Sequence, residues 1–178
     1  MLPQLRERVE RLVEYLLRLN ETIRGMEAAQ RERMRAAAGQ GTMALVELWM
    51  SLRGAGQQSA WLLAWELFGW RSYRNRRELA ASVGLVGTPY DSGESRREQG
   101  VSKSGNRRVR TMLIELAWLW LRHQPESELS RWYMQRFAGT ARGRKVGIVA
   151  LARKLLIALW QMTQTGEVPM GATLGRSR

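Results

Sequence analysis

Cysteine is absent from this 178-residue sequence, which excludes a disulfide framework, a thiolate metal site and a cysteine nucleophile. Histidine occurs once, as His123, too few for a histidine-based metal centre or catalytic triad. Its flanks, "LRHQPES", read as a helix end, where an exposed or C-capping imidazole is the ordinary role. Acidic residues are in deficit: Asp+Glu number 16 against 29 Lys+Arg, a net charge of +13 spread along the chain. That surplus favours a polyanionic partner, nucleic acid before an anionic membrane surface. Long apolar runs are also missing. "MLIELAWLWL" is far short of the roughly 20 residues that span a bilayer, and "VGIVALARKLLIALWQM" is broken by Arg153 and Lys154. "MLPQLRERVERL" puts charges where a secretory signal needs an apolar stretch, so the chain reads as soluble and cytoplasmic, with no membrane partner. No alternating strand pattern exceeds a few residues, which makes the expected class all-α.

Apolar residues make up 44% of the chain, enough for a core. Leu2, Leu5, Val9, Leu12, Leu16, Leu19, Ile23 and Met26 alternate at separations of three and four, an a/d heptad seam flanked by mixed charges such as Arg6, Glu7, Glu10 and Arg11. The spacing predicts a coiled-coil helix over 1–38, pairing as a dimer or an antiparallel hairpin; one amphipathic helix packed on its own domain is the competing reading. A helical domain follows over 43–165, and 166–178 has tail composition.

Within that domain, two apolar helices are joined at Gly54-Ala55-Gly56, with the second predicted to begin at about Gln57. Glycine amides beside a helix N-terminus can grip a phosphate, as in a helix-hairpin-helix element; a tight turn between core helices explains the same residues. Arg71, Arg74, Arg76 and Arg77 lead into a short helix closed by Gly84. With Tyr73 they suit a phosphate-facing surface carrying one stacking aromatic, a solvated face being the default. Met112, Leu113, Leu116, Trp118, Leu119 and Trp120 predict a broad buried arc, and helical spacing assigns Trp61, Trp65, Trp118 and Trp160 to the core.

The densest polar stretch is "YDSGESRREQGVSKSGNRRVR", residues 90–110. Ser92 lies between Asp91 and Gly93 after Pro89, a turn sequence that exposes a hydroxyl. Arg96, Arg97, Lys103, Arg107, Arg108 and Arg110 could surround a phosphodiester and neutralise the charge that builds during displacement. On the residues alone, the loop is either phosphate-binding or catalytic.

"SLRGAGQQSA", "RRELAASVGLVGTPYDSGE", "GVSKSGNRRVRTML" and "ARKLLIALWQM", in this order over about residues 45–165, resemble the C-terminal transposase domain of the insertion sequence 110 family, the bridge-RNA-guided recombinases. The resemblance implies that Ser92 is the nucleophile of a 5′-phosphoserine link to DNA. It assigns Lys103 and Arg110 to phosphate or transition-state contacts, Asn106 to holding the loop, and Gly93 and Gly105 to shaping it. Ser102 and Ser104 fall beside a helix start, where N-capping is ordinary.

Family enzymes also carry an N-terminal RuvC-like domain whose acidic residues bind Mg²⁺ and complete a composite site with the serine. With nothing ahead of Leu2 to supply it, that domain is expected to be absent from this sequence. The expectation is therefore a chain with no metal or cofactor of its own, with Mg²⁺ supplied at the composite site by a separate RuvC-like partner. The partners implied are DNA, guide RNA and further copies of the chain, as dimer or tetramer through the coiled coil, in a prokaryotic nucleoid setting. The alternatives are a non-catalytic dimerising DNA- or RNA-binding module derived from such an enzyme, and a basic amphipathic membrane-surface protein.

Overall fold

The heptad seam becomes one continuous helix, α1 (Pro3–Ala36), about 50 Å long at 1.5 Å per residue. The structure is a computed structural model; it describes the backbone of residues 3–92 and 95–175 and the side chains of 4–87 and 100–175. Leu2 lies outside the described residues. Leu5, Val9, Leu12, Leu16, Leu19, Ile23 and Met26 are all exposed on α1, and Val13, Tyr15 and Leu17 are exposed beside them. Only its last turns meet the rest of the chain, through Met34 against the core and a Gln58 to Gln30 hydrogen bond of 3.2 Å. The alternative of a helix packed on its own domain therefore does not hold for residues 5–26.

Among the described residues six shorter α-helices follow: α2 (Gly41–Met50), α3 (Gln57–Leu63), α4 (Arg76–Ser82), α5 (Arg107–His123), α6 (Glu128–Phe137) and α7 (Ala141–Thr165). The class is all-α, with one antiparallel ribbon, β1 (Gly87–Ser92) and β2 (Ser95–Val101), inserted between α4 and α5. Neither strand alternates apolar and polar residues, so the ribbon leaves no strand pattern to read. Pro89 fits β1 because each strand of a two-stranded ribbon has one edge that needs no N–H donor.

Helices α5 and α7 form the centre. Val109, Leu113, Leu116, Ala117 and Trp120 line the buried face of α5, at the three-and-four spacing of a helix stripe. Ile148, Leu151, Ala152, Leu155, Leu156 and Leu159 answer from α7, each buried leucine contributing about 1.5–3 kcal/mol. The arc on α5 is narrower than expected: Trp118 and Leu119 are exposed, and so is Trp65, while Trp49 and Trp120 are the fully buried tryptophans. Both buried indoles satisfy their N–H, to Leu159 O and to Ser127 Oγ. A Cβ on Gly147 would collide with the Phe137 ring, so this glycine lets α6 and α7 close on each other. Helix α7 has the length and apolarity to cross a membrane, but its apolar stripe is the core of this domain.

Residues 166–175 are not the loose tail that their composition suggests. Gln124, buried between α5 and α6, donates from Nε2 to Arg53 O and Thr173 O, both at 2.8 Å, and accepts at Oε1 from Thr173 N and Oγ1. Glu128 N donates to Met170 O and Arg53 N to Thr173 O. One buried amide thus clamps the chain end to the α2–α3 turn.

Candidate nucleic-acid interface and serine site

The segment 102–106 is laid onto the end of α4 by backbone hydrogen bonds, Ser102 N to Val86 O, Lys103 N to Gly84 O and Asn106 N to Ser82 O. Two glycines make the approach possible. A Cβ on Gly84 would strike Ser104 O and one on Gly105 would strike Ser82 O, and both have positive φ, 70° and 94°, a region that side chains disfavour. Lys103 is the one non-glycine with positive φ (56°) among the described residues, so the turn holds its ammonium at a strained backbone position.

Asn106 is the N-cap of α5, its Oδ1 accepting from Val109 N at 3.1 Å. Ser102 and Ser104, placed by the sequence beside the helix start, do not cap it: Ser104 Oγ donates to Ser102 Oγ at 3.1 Å. Asn106 Nδ2 donates to Glu66 Oε2 at 2.9 Å. Glu66 sits in a π-helical turn, Ala64–Phe68, that continues α3; the wider turn rotates the side chains that follow it. Arg108 approaches the same carboxylate at 3.7 Å while staying largely solvated, a pair worth little by itself. Arg110 Nη1 donates to Val83 O at 3.0 Å, a structural bond across the same junction. Arg107 and Arg108 are exposed and line a cleft of about 510 Å³ between α3 and α5.

Ser92 is the last residue of β1, paired with Ser95 across the ribbon. Gly93 lies outside the described residues, as do the side chains of Ser92, Arg96 and Arg97, whose strand pairings with Asp91 and Tyr90 are described. Five steps of about 3.3 Å separate Ser92 from Gly87, roughly 17 Å along the ribbon. The stretch is thus divided in two: the serine with Arg96 and Arg97 at one end, and Lys103, Asn106, Arg107, Arg108 and Arg110 beyond the other.

Gly54 and Gly56 do not join either group. α3 begins at Gln57 as the spacing predicts, but Gly54 packs on His123, where an added Cβ would lie 2.8 Å from the His123 Cβ. That is the far end of α5 from Asn106, about 25 Å away for a 17-residue helix. The turn there is occupied by residues 173–175 of the chain itself, through Arg53 N to Thr173 O and Gly175 N to Ser51 O. A tight turn between core helices accounts for it better than a phosphate grip.

Tyr73 is buried, 5.8 Å from Phe68 in an edge-on contact, so it is not the stacking aromatic of the arginine-rich segment. Trp70 is the exposed ring there, with Arg71 at 4.5 Å over its face. Arg74, Arg76 and Arg77 are exposed around the start of α4, which Asn75 caps through Arg77 N and Glu78 N. Among the described residues, no three His, Asp or Glu side chains come together to hold a metal ion.

The profile of the transposase IS116/IS110/IS902 family matches residues 46–131, from α2 into α6, the ribbon and the Asn106 junction included. "Putative transposase y4rJ" of Sinorhizobium fredii (strain NBRC 101917 / NGR234) is 48% identical over 128 residues, 70% of this chain and 32% of that protein. The chain belongs to the IS116/IS110/IS902 transposase family. "Transposase for insertion sequence element IS1328" of Yersinia enterocolitica is 30% identical over 121 residues, 67% of this chain and 36% of that protein. "Transposase for insertion sequence element IS1111A" of Coxiella burnetii is 29% identical over 117 residues, 66% of this chain and 32% of that protein. The chain spans about a third of the length of these relatives.

Sequence reasoning missed Glu66 and Gln124. Nothing local marks Glu66, which meets its partner 40 residues away. An Asn three residues before Val109 and the apolar run of α5 is an N-cap signal, and it could have identified Asn106 as the cap.

Proposed function

We propose that this chain acts in DNA transposition as the serine-bearing part of a recombinase. Ser92 Oγ attacks a DNA phosphorus; the Oγ–P bond forms, the P–O3′ bond breaks, and the 3′ oxygen leaves as a hydroxyl. The serine proton passes to a base, a proton is returned to the departing 3′ oxygen, and the 5′ end stays on the protein as a phosphoserine. Arg96 and Arg97 on the opposing strand are the cations nearest along the ribbon to that phosphate, and Lys103, Arg107 and Arg108 hold the flanking nucleic-acid backbone.

The observation that carries the reading is the family match across the ribbon and the glycine-locked Asn106 junction. The placement of Ser92 roughly 17 Å along the ribbon from its base suits a nucleophile completed by groups from elsewhere. In this reading those groups are the acidic residues of a RuvC-like domain, which bind Mg²⁺. The described residues of this chain do not form a metal site, and no step here runs through the metal. A guide RNA selects the DNA, and copies of the chain pair through the exposed seam of α1 as a dimer or tetramer, on nucleoid DNA in a prokaryotic cytoplasm.

The test is to incubate the chain with a RuvC-like domain, guide RNA, Mg²⁺ and end-labelled DNA, and to resolve the products in SDS. An SDS-stable protein–DNA adduct that disappears in Ser92→Ala supports the proposal; an adduct undiminished in Ser92→Ala refutes it.

A further inference from the structure

A groove of about 830 Å³ opens at the base of the ribbon, between the start of α4, α6 and α7. Its rim carries Arg76, Lys103, Lys145, Arg153 and Lys154, and its lining includes no carboxylate among the described residues. Between these cations the floor is apolar, formed by Leu85, Val149 and Ile157, with the Trp132 ring at one side. Lys154 Nζ stands 4.7 Å over that ring. Lys145, Val149, Arg153 and Ile157 follow one another at four-residue steps, so a single stripe of α7 supplies both cation and apolar lining. Trp132, Lys145, Arg153 and Lys154 all lie beyond the residues that the family profile matches.

Two properties together select an occupant. Cations without a lining carboxylate suit a polyanion. A duplex presents phosphates and sugar to a surface and leaves an apolar floor unused, whereas an unpaired strand offers base faces that lie on aromatic and aliphatic side chains. The volume falls within the range of small-ligand clefts, enough to take an unstacked nucleotide.

We propose that this groove holds an unpaired nucleotide of a single-stranded segment, its phosphates on Lys145, Arg153 and Lys103 and its base against Trp132 and the α7 stripe. This rests on the nucleic-acid reading above and adds strand state to it. DNA and RNA share the chemistry, and the experiment separates them.

The full 178-residue chain and two variants, K145Q/R153Q and V146D, are titrated by fluorescence anisotropy against three probes across a salt series. The probes are a single-stranded DNA oligonucleotide, the same sequence as RNA, and the blunt DNA duplex. Val146 is exposed on the groove wall, so V146D adds a repelling carboxylate there without touching the core; thermal melts confirm that both variants stay folded. Both should lose about ten-fold in affinity for a single strand and less than about two-fold for the duplex. The salt slope of K145Q/R153Q should fall by roughly 1.4, two contacts at about 0.7 each. The single strand that the unmodified chain holds more tightly identifies the source as DNA or RNA. Unchanged single-strand binding in both variants, equal losses on duplex and single strand, or tighter binding to phosphatidylglycerol vesicles than to either strand would overturn the groove assignment alone. Failure of the unmodified chain to bind any of the three nucleic acids would instead overturn the functional reading beneath it.

Discussion

Asn106 donates through Nδ2 to Glu66 Oε2 at 2.9 Å, while its Oδ1 caps α5 at Val109 N. One amide thereby fixes the start of the central helix against the π turn of α3. Replacing it removes two bonds at once. Asn106→Ala should cost about 1–2 kcal/mol, the usual loss of an N-cap with a further hydrogen bond. Glu66→Gln keeps an acceptor and should stay within about 0.5 kcal/mol of the parent. Thermal unfolding of both variants checks the order, and a larger loss in Glu66→Gln would contradict it.

Gly84 and Gly105 interlock two backbone segments at positive φ. Alanine at either position meets a carbonyl oxygen as well as an unfavourable conformation, so each substitution should cost about 3 kcal/mol or more. Gly39→Ala is the control: its φ is also positive (72°) but nothing lies near its Cβ, and the loss there should be about 1 kcal/mol. Equal losses at all three sites, read by chemical denaturation, would show that packing adds nothing to the backbone effect.

Gln124 makes four hydrogen bonds that hold residues 170–175 to the α2–α3 turn. Gln124→Ala strands buried carbonyl and amide groups and should destabilise by about 2–4 kcal/mol. Limited proteolysis should then release the C-terminal segment before the domain is cut. Simultaneous loss of both would mean that this segment is not a separate unit.

How legible was this in the sequence? Apolar periodicity revealed α1 and the core role of α5, because each buries or presents a stripe at helical spacing, and the Gly54-Ala55-Gly56 junction marked the α3 start at Gln57. The ribbon was invisible, since neither strand sequence, GTPYDS nor SRREQGV, alternates apolar and polar residues. Tyr73 was misplaced, and the two readings of the Gly54 turn stayed open, for another reason: residue type says what a side chain can bind, whereas burial against Phe68 and occupation by residues 173–175 depend on distant chain. Glu66 and the α7 stripe of Lys145 and Arg153 became parts of sites only when folding set them beside Asn106 and the ribbon base.

The exposed seam of α1 predicts self-association. Leu12→Glu with Leu16→Glu should convert the oligomer to monomer in light scattering while leaving the domain's melting midpoint unchanged, because neither residue touches the core. A parent chain that is already monomeric at tens of micromolar, a concentration on the order of that used for such measurements, would remove the pairing from the account.

Salt-dependent DNA binding should separate the cations from the serine. Arg107→Gln with Arg108→Gln should lower the duplex salt slope by about 1.8, two contacts at roughly 0.9 each. Ser92→Ala should leave affinity unchanged. A slope that does not move would exclude these arginines as phosphate contacts.

The central claim is that Ser92, and no neighbouring hydroxyl, takes the DNA. Mass spectrometry of the nuclease-trimmed adduct after trypsin tests it most directly, because the enzyme cuts after Arg77, Arg96, Lys103 and Arg107 and so parts Ser92 from Ser102 and Ser104. The account predicts a nucleotide mass on the peptide 78–96, with fragment ions placing it on Ser92. A nucleotide mapped to Ser95, Ser102 or Ser104 would contradict it.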